Sequence, residues 1–338
     1  MVVSKFGQPP ELTELSQPTP SGDEVLLRVR AAGVCHTDIK IRDGLVPGVP
    51  LPVVLGHEIA GEVEGVGPDV KKVAVGDRGI PYGYITCGSC RFCTSGRTSL
   101  CEEITLRYGF GPVGGYSEYV LVPERFLVRI PDSVSFEEAA VASCSVVTPY
   151  HALAKRAHLG EGETVVVVGA GGGVGLHAVQ LAHRMGGQVI AVDVDPKREL
   201  NALEQGASAF IVSNGEGLAS ALHRETNGRG VDVVVDIVAS TSTMAESIEC
   251  LRPGGRLVLV GYRQTEPLHA STADIVFREI EIYGSHWATM SDLVEVVDMI
   301  DRRDVSPIIV RRYQLEEAPK ALDLLTSGGG PGRSVLSV

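Results

Sequence analysis

The sequence predicts an α/β protein of two domains, a β-rich one and one built on a doubly wound parallel sheet. Short strand-like runs separated by Gly/Pro turns fill the first 145 residues or so, and buried β-branched runs alternate with helical segments after them. The length of 338 residues accommodates two domains at about 150 residues each.

Composition excludes several classes of protein. Hydrophobic residues make up 44% and charged residues 21%, which is typical of a globular chain and not of a disordered one. The net charge of −12 argues against nucleic acid as a partner, because an acidic surface repels phosphates. No apolar run of membrane-spanning length and no secretory leader is recognised, so we expect a cytoplasmic protein with reduced thiols and no membrane contact.

The first part of the chain has the pattern of a small barrel. Three strand-like runs, Val25 to Val29, Ile59 to Val66 and Tyr119 to Val122, are separated by turn segments such as Val46 to Pro52. Short strands with frequent turn signals favour a β-rich domain.

After about residue 145 the pattern alternates between strand and helix. The six predicted strands are Thr164 to Gly169, Gln188 to Asp193, Ala209 to Val212, Val231 to Val238, Arg256 to Gly261 and Ile280 to Gly284. Helical periodicity occurs at Gly175 to Met185 and again at Ser291 to Asp301, and short strand-like pieces return from about Pro307. This order indicates a parallel sheet wound on both faces.

A glycine loop joins the first of these strands to its helix. Its best register is A-x-G-x-x-G, with Ala170, Gly172 and Gly175 at the special positions. Without a Cβ, Gly172 would let a pyrophosphate approach the backbone, and Gly175 would let the helix pack on the strand.

An acidic residue in the expected place supports a dinucleotide ligand. Asp193 ends the second strand, 18 residues after Gly175, where a carboxylate accepts hydrogen bonds from ribose hydroxyls and repels a 2′-phosphate. We therefore expect NAD, unless Arg198 reaches a 2′-phosphate and favours NADP. The simpler interpretation is a glycine turn beside a solvated Asp.

Four cysteines lie within 15 residues. Cys87, Cys90, Cys93 and Cys101 can supply four thiolates to a closed tetrahedral zinc site. An iron–sulfur cluster is the alternative, but the Pro that commonly follows the last cysteine is replaced by Glu102.

Two further cysteines and a histidine form a second candidate set. Cys35, His57 and Cys144 would bind zinc with one open position, but their spacing does not show that they meet. The alternative is two buried thiols and a surface histidine. Cys250 is expected to be a plain buried thiol.

These motifs together resemble the zinc-dependent medium-chain alcohol dehydrogenases, of microbial type. The resemblance spans nearly the whole chain and rests on GVCHTD (33–38), LPVVLGHEIAGEVEGVG (51–67), VGDR (75–78), the four-cysteine lobe, GGYSEYV (114–120), CSVVTPYHAL (144–153) and GAGGGVG (169–175).

The resemblance implies a role for each catalytic residue. It places Cys35, His57 and Cys144 on a catalytic zinc, with Glu58 beside them as a nearby or exchanging ligand. It also makes the hydroxyl of Thr37 the group that takes the alcohol proton. Related polyol dehydrogenases generally carry Glu where this chain has Cys144, which favours simple alcohols. The last relay group of many relatives is His, and Lys40 stands there in this chain.

The residues expected to bind the cofactor come from two sources. The motif itself predicts Gly171, Gly172, Gly173, Val174, Asp193 and Arg198, and the resemblance adds His36, Thr148 and Val260.

The family implies a domain layout and an assembly. A GroES-like catalytic domain would span 1–145 with a structural zinc lobe at 87–101, a Rossmann NAD-binding domain 146–287, and 288–338 would return to the catalytic domain. We expect two zinc ions per chain and a homotetramer, with a dimer as the alternative.

The expected reaction is reversible oxidation of a primary or secondary alcohol to an aldehyde or ketone, with hydride transfer to NAD. The alternatives are a dehydrogenase of the same fold for a polyol, an aryl alcohol or an acyl-CoA alcohol, and a non-catalytic protein stabilised by zinc.

Overall fold

The computed structural model describes all residues, 1–338, and its contacts divide the chain into two units. The first unit combines Met1–Cys144 with Thr289–Val338, and the second is Ser145–Ala288. Each predicted domain boundary differs from these bounds by one residue.

The first unit is mainly β-structure. Its strands are β1 (Val2–Val3), β2 (Glu24–Val34), β3 (Val53–Val54), β4 (Glu58–Val66), β5 (Arg78–Pro81), β6 (Tyr84–Ile85), β7 (Leu106–Arg107), β8 (Tyr119–Pro123), β9 (Leu127–Arg129), β16 (Ile309–Gln314) and β17 (Arg333–Ser337). Its helices are α1 (His36–Arg42), α2 (Arg91–Thr94), α3 (Phe136–Val141), α10 (Met290–Asp301) and α11 (Ala318–Thr326).

One seven-stranded sheet organises this unit. The order is β16-β17-β2-β4-β5-β9, and β8 pairs with β2. The last strand, β17, runs antiparallel to β2, with Ser334 opposite Val34 and Val335 opposite Gly33. On its other side β2 pairs Gly33 with Glu58 of β4. The C-terminal segment is therefore brought to the start of α1.

The second unit is a parallel sheet with helices between its strands. The strands are β10 (Thr164–Val168), β11 (Gln188–Asp193), β12 (Ala207–Val212), β13 (Val231–Asp236), β14 (Leu251–Leu259) and β15 (Glu281–Gly284), in the order β12-β11-β10-β13-β14-β15. The helices are α4 (Val147–Tyr150), α5 (Gly173–Arg184), α6 (Glu199–Glu204), α7 (Leu218–Glu225), α8 (Thr241–Cys250) and α9 (Thr272–Arg278).

The central strands are buried on both faces, as parallel strands covered by helices must be. All six residues of β13 are buried, and its two acids find partners on the backbone. Asp232 Oδ2 accepts from the amide of Thr164 at 2.8 Å. Asp236 Oδ1 accepts from Val238 and Ala239, both at 2.9 Å. These bonds offset the cost of burying carboxylates among valines.

The predicted fold class is confirmed, and the differences are local. Strand β14 begins five residues before the predicted Arg256, because Leu251 already pairs with Val231 and an irregularity separates that pair from the regular register. Helix α11 lies in the tail, where only strand-like pieces were expected. No helix in the described chain has the length and apolar character needed to cross a bilayer.

Candidate active site and metal centres

The four-cysteine lobe forms a compact group of sulfur atoms. Cys87 and Cys90 precede α2, Cys93 lies within it, and Cys101 follows a 3₁₀ turn over Thr98–Leu100. The Sγ atom of Cys87 is 3.9 Å from that of Cys93 and 3.5 Å from that of Cys101. Cys90 and Cys101 are 4.0 Å apart. A tetrahedron with Zn–S bonds of about 2.3 Å has edges of about 3.8 Å, so the donor set fits one zinc ion.

Backbone N–H groups converge on two of these sulfur atoms. The amides of Ser89 and Cys90 donate to Cys87 Sγ at 3.5 and 3.3 Å. The amides of Cys87 and Glu103 donate to Cys101 Sγ, both at 3.4 Å. The bond from Cys90 is the largest of the effects that lower the pKa of Cys87 to about 6. These bonds favour the thiolate at Cys87, the form that binds zinc, whereas burial raises the pKa of Cys93 to about 12.

The structure also brings together the residues of the second set. Cys35 follows β2 and is the N-cap of α1, His57 precedes β4, and Glu58 begins that strand. Cys144 lies in a π-helical stretch, Ala142–Val146. One ligand atom from each of the four lies within 4.8 Å of all the others, and all but the half-buried His57 are buried. Two thiols, an imidazole and a carboxylate are a donor set that zinc accepts, so the residues present fit the metal.

The orientation of the His57 ring is fixed by a carboxylate at its Nδ1 atom. Its Nδ1 lies 3.2 Å from Asp38 Oδ1, and the buried Asp38 is itself held through Oδ2 by the Cys35 amide at 2.8 Å and the Tyr116 hydroxyl at 3.0 Å. A carboxylate that accepts from Nδ1–H leaves the lone pair of Nε2 for a metal.

Electrostatics in this group differ between the two thiols. A hydrogen bond from Cys144 holds the pKa of Cys35 well below its usual range, and the charges of Arg333 and His57 add to this effect. The same shared hydrogen bond raises the pKa of Cys144, and burial adds to that rise.

Glu58 is buried against an arginine from the other end of the chain. Arg333, 4% exposed, donates from Nε to Oε2 at 3.1 Å and from Nη2 to Oε1 at 2.5 Å. Its Nη2 also lies 3.4 Å from Cys35 Sγ. Burial raises the pKa of Glu58 to about 7, against the lowering effect of Arg333. Gly33 leaves the room for this carboxylate, because a Cβ there would lie 1.9 Å from Oε2.

The glycine loop of the second unit connects β10 to α5. Gly172 is the exposed N-cap of α5, and a Cβ on it would meet no atom closer than 3.9 Å. A Cβ on Gly175 would lie 2.1 Å from the carbonyl oxygen of Gly169. Gly172 therefore leaves open space before the helix N-terminus, whereas Gly175 permits close packing of helix on strand.

Asp193 is held at the carboxyl end of β11. Its Oδ2 accepts from the Gly171 amide at 2.8 Å, and its Oδ1 accepts from the Asp195 amide at 3.2 Å. The side chain of Arg198 lies across Gly171, where a Cβ would be 2.5 Å from its Cγ, and pairs with Asp195 at 3.3 Å. Arg198 is thus placed beside the loop, with its charge balanced by Asp195.

The remaining cofactor candidates are divided between the units. Gly173 and Val174 open α5, Thr148 is buried on α4, and Val260 follows β14, all in the second unit. His36 and Thr37 are the first two residues of α1 in the first unit, the former exposed and the latter half-buried.

Comparisons with known proteins agree with this architecture. Residues 21–132 match the family described as alcohol dehydrogenase GroES-like domain, and residues 173–302 match the family described as zinc-binding dehydrogenase. An alcohol dehydrogenase of Geobacillus stearothermophilus is 38% identical over 340 residues, which cover 100% of this chain and 98% of the relative. The chain belongs to the zinc-dependent medium-chain alcohol dehydrogenases. It is an oxidoreductase.

Other relatives extend the comparison to structure and to other substrates. The solved alcohol dehydrogenase of the archaeon Aeropyrum pernix has a TM-score of 0.92 at 30% identity and covers 100% of this chain and 99% of its own. An acryloyl-coenzyme A reductase of Metallosphaera sedula is 32% identical, with 100% of this chain and 99% of the relative covered.

Three residues around the second candidate ligand group of this dehydrogenase were not predicted from the sequence. They are Asp38, Tyr116 and Arg333. Asp38 lies within the GVCHTD motif, and its spacing of three residues from Cys35 was a usable signal for a capping carboxylate. Arg333 carried none, because only the pairing of β17 with β2 and of β2 with β4 brings it to Glu58. Tyr116 stands in the GGYSEYV motif but outside every strand, and its backbone amide bonds to the Leu55 carbonyl at 2.9 Å.

The two glycines of the cofactor loop give a matched test of packing. We expect Gly175→Ala to lower the free energy of unfolding by about 1–3 kcal/mol, because its Cβ would overlap a backbone carbonyl that cannot move independently. Gly172→Ala should stay within about 1 kcal/mol of wild type, since its Cβ meets open space. Thermal and urea denaturation of both variants measure this; equal losses would contradict the packing role of Gly175.

The Arg333–Glu58 pair gives a test of buried charge. Arg333→Met should destabilise the zinc-loaded protein by about 3–5 kcal/mol, because it leaves a buried carboxylate without its cation. The double variant Arg333→Met with Glu58→Gln should recover part of that loss. Urea denaturation with metal content measured in parallel is the assay. If the double variant is no more stable than Arg333→Met, the loss does not arise from the unpaired charge.

Proposed function

We propose that this chain is an NAD-dependent zinc alcohol dehydrogenase that oxidises a primary or secondary alcohol to an aldehyde or ketone and forms NADH and a proton. The observation that carries the proposal is the convergence of Cys35, His57, Glu58 and Cys144 in one buried group. Residues 1–145 and 288–338 would form the catalytic part, and 146–287 the NAD-binding part.

In this proposal two thiols and an imidazole hold the catalytic zinc. Cys35, His57 and Cys144 are the ligands, and Glu58 is close enough to exchange with them. The zinc, when bound, supplies a Lewis acid that lowers the pKa of an alcohol hydroxyl. Asp38 keeps the Nε2 lone pair of His57 directed at the metal position, and Arg333 keeps Glu58 beside it. Cys87, Cys90, Cys93 and Cys101 would hold a second, structural zinc.

The proton and the cofactor are assigned to other residues. Thr37 would accept the alcohol proton at its Oγ1. Lys40 follows three residues later at the position of the final relay group, where many relatives carry His. The open N-terminus of α5 at Gly172 suits a pyrophosphate, and Asp193 suits ribose hydroxyls and disfavours a 2′-phosphate. Thr148, Val260 and His36 would complete the cofactor site.

An acyl-CoA substrate is the second candidate. The similarity to an acryloyl-coenzyme A reductase, at 32% identity, is the observation that favours it. Cys144, where polyol dehydrogenases generally carry Glu, argues against a polyol.

The assembly would be a homotetramer built from dimers, or a dimer alone. Strand β15 is one of the two outermost strands of the parallel sheet and leaves an edge that a second copy can extend. Analytical ultracentrifugation would measure the assembly directly.

Metal content and turnover together test the central proposal. Zinc-loaded wild type should contain two zinc ions per chain and form NADH from an alcohol. Cys144→Ala should retain the zinc of the lobe, bind the catalytic zinc more weakly and lose turnover on the order of 100-fold or more, because it removes one of the three proposed ligands of the open site.

Cys87→Ala is the matched control. It should contain one zinc ion per chain, and the ion that it loses is the one in the four-cysteine lobe.

The substrate panel contains primary, secondary and aryl alcohols, polyols and acyl-CoA esters, each assayed with NAD and NADP. One zinc in wild type, or no nicotinamide-linked turnover with two, would rule out the proposal.

Cofactor choice is tested at Asp193. Asp193→Gly should raise the KM for NAD by about 10-fold, as expected for the loss of hydrogen bonds to a charged group. It should also lower the ratio of kcat/KM for NAD to kcat/KM for NADP. Asp193→Asn keeps an acceptor for the Gly171 amide but removes the charge. It should therefore lower the ratio of kcat/KM for NAD to kcat/KM for NADP, with a smaller rise in the KM for NAD. If the ratio of kcat/KM values for the two cofactors is unchanged in both variants, Asp193 does not take part in cofactor binding.

A further inference from the structure

A buried histidine in the second unit has no part in the mechanism above. His177 lies on α5 with 0% of its surface exposed. Its Nδ1 is 2.6 Å from the carbonyl oxygen of Gly173 and 3.0 Å from the hydroxyl of Ser145, which is also fully buried. The imidazole therefore contacts both the cofactor loop and the residue that follows Cys144.

The chemistry of these contacts fixes the proton on the ring. A carbonyl oxygen can only accept, so Nδ1 must carry a hydrogen and donate it to Gly173. The hydroxyl of Ser145 then accepts from the same N–H. His177 is four residues after Gly173, and helical side chains lean towards the N-terminus, so this contact follows from the position of the histidine on α5.

Holding the Gly173 carbonyl also directs a donor in the loop. Gly173 C=O and Val174 N–H belong to one planar peptide unit and point in opposite directions. The Val174 N–H is among the first N–H groups of α5, which have no partner within the helix and are available to an anion. Gly173 is the first residue of α5, so its carbonyl already points along the helix towards the backbone amide of His177. The contact with the imidazole adds to this constraint and holds the Val174 N–H at the open end of the helix.

The contact of His177 with Ser145 bears on the segment that contains Cys144. Ser145 lies next to Cys144 in the π-helical stretch Ala142–Val146, and irregular stretches of this kind are frequent at functional sites. In the same stretch, Ser143 bonds back to the carbonyl of Ala140 at 2.7 Å, so successive side chains have different partners.

We propose that His177 is a positioning residue for the reaction, which orients the Gly173–Val174 peptide for the pyrophosphate of NAD and anchors the segment that presents Cys144. This inference rests on the proposed function, because it takes NAD as the ligand of the loop.

Two amide substitutions separate the role of Nδ1 from simple filling of space. The side-chain amide of His177→Asn can place an N–H near the position of Nδ1, whereas that of His177→Gln places it near Nε2. Titration of the zinc-loaded variants with NADH, followed by NADH fluorescence, should give a Kd within about 3-fold of wild type for Asn and about 10-fold weaker for Gln, as expected for one lost hydrogen bond.

Ser145→Ala tests the second contact with a different readout. After replacement of the catalytic zinc by Co²⁺, we expect the visible absorption spectrum to change in Ser145→Ala and His177→Gln and to remain that of wild type in His177→Asn. Equal NADH affinities for the Asn and Gln variants, or an unchanged cobalt spectrum in Ser145→Ala, would overturn the inference. Failure of wild type to bind NADH would instead contradict the proposed function.

Discussion

The first unit is organised around a concentration of buried negative charge. Ligand atoms of Cys35, Glu58 and Cys144 lie within 4.8 Å of one another. Asp38, which contacts His57 of the same group, is buried like these three residues. An ionised group out of water is costly unless it is paired, so each anion needs a partner that the fold delivers. Arg333 faces Glu58 and Cys35, while His57 and Tyr116 face Asp38. A bound Zn²⁺ would supply the remaining positive charge.

That requirement explains why the chain must return to its first unit. The partner of Glu58 is 275 residues away in sequence, and it arrives because β17 pairs with β2, which also pairs with β4. Gly33 on β2 lies opposite both Glu58 and Val335 and has no side chain to exclude the carboxylate. Three strands and one glycine thus fix a geometry that no single motif contains.

Part of the structure could be predicted from the sequence, and part depends on contacts between distant segments. The lobe was predictable because four thiolates within 15 residues have few ways to fold other than around one ion, and the β10 loop was predictable because its glycines meet local backbone constraints. The convergence of Cys35, His57 and Cys144 was available only through the family resemblance, since nothing local brings them together. Arg333 was invisible, because its role depends on a strand pairing. The early start of β14 was missed because Pro253 and Gly254 obscure a strand that begins with an irregular register.

Cys144 and Ser145 are adjacent in sequence, and they connect the candidate metal ligands with the helix that follows the glycine loop. The boundary between the compact units falls on this peptide bond. The Cys144 thiol shares a hydrogen bond with Cys35 in the first unit, whereas Ser145 contacts His177 on the helix that follows the glycine loop in the second. Because adjacent side chains in a helical stretch point in different directions, one short segment can contact Cys35 through Cys144 and His177 through Ser145. The segment 142–146 is therefore constrained at Cys144 by the contact with Cys35 and at Ser145 by the contact with His177.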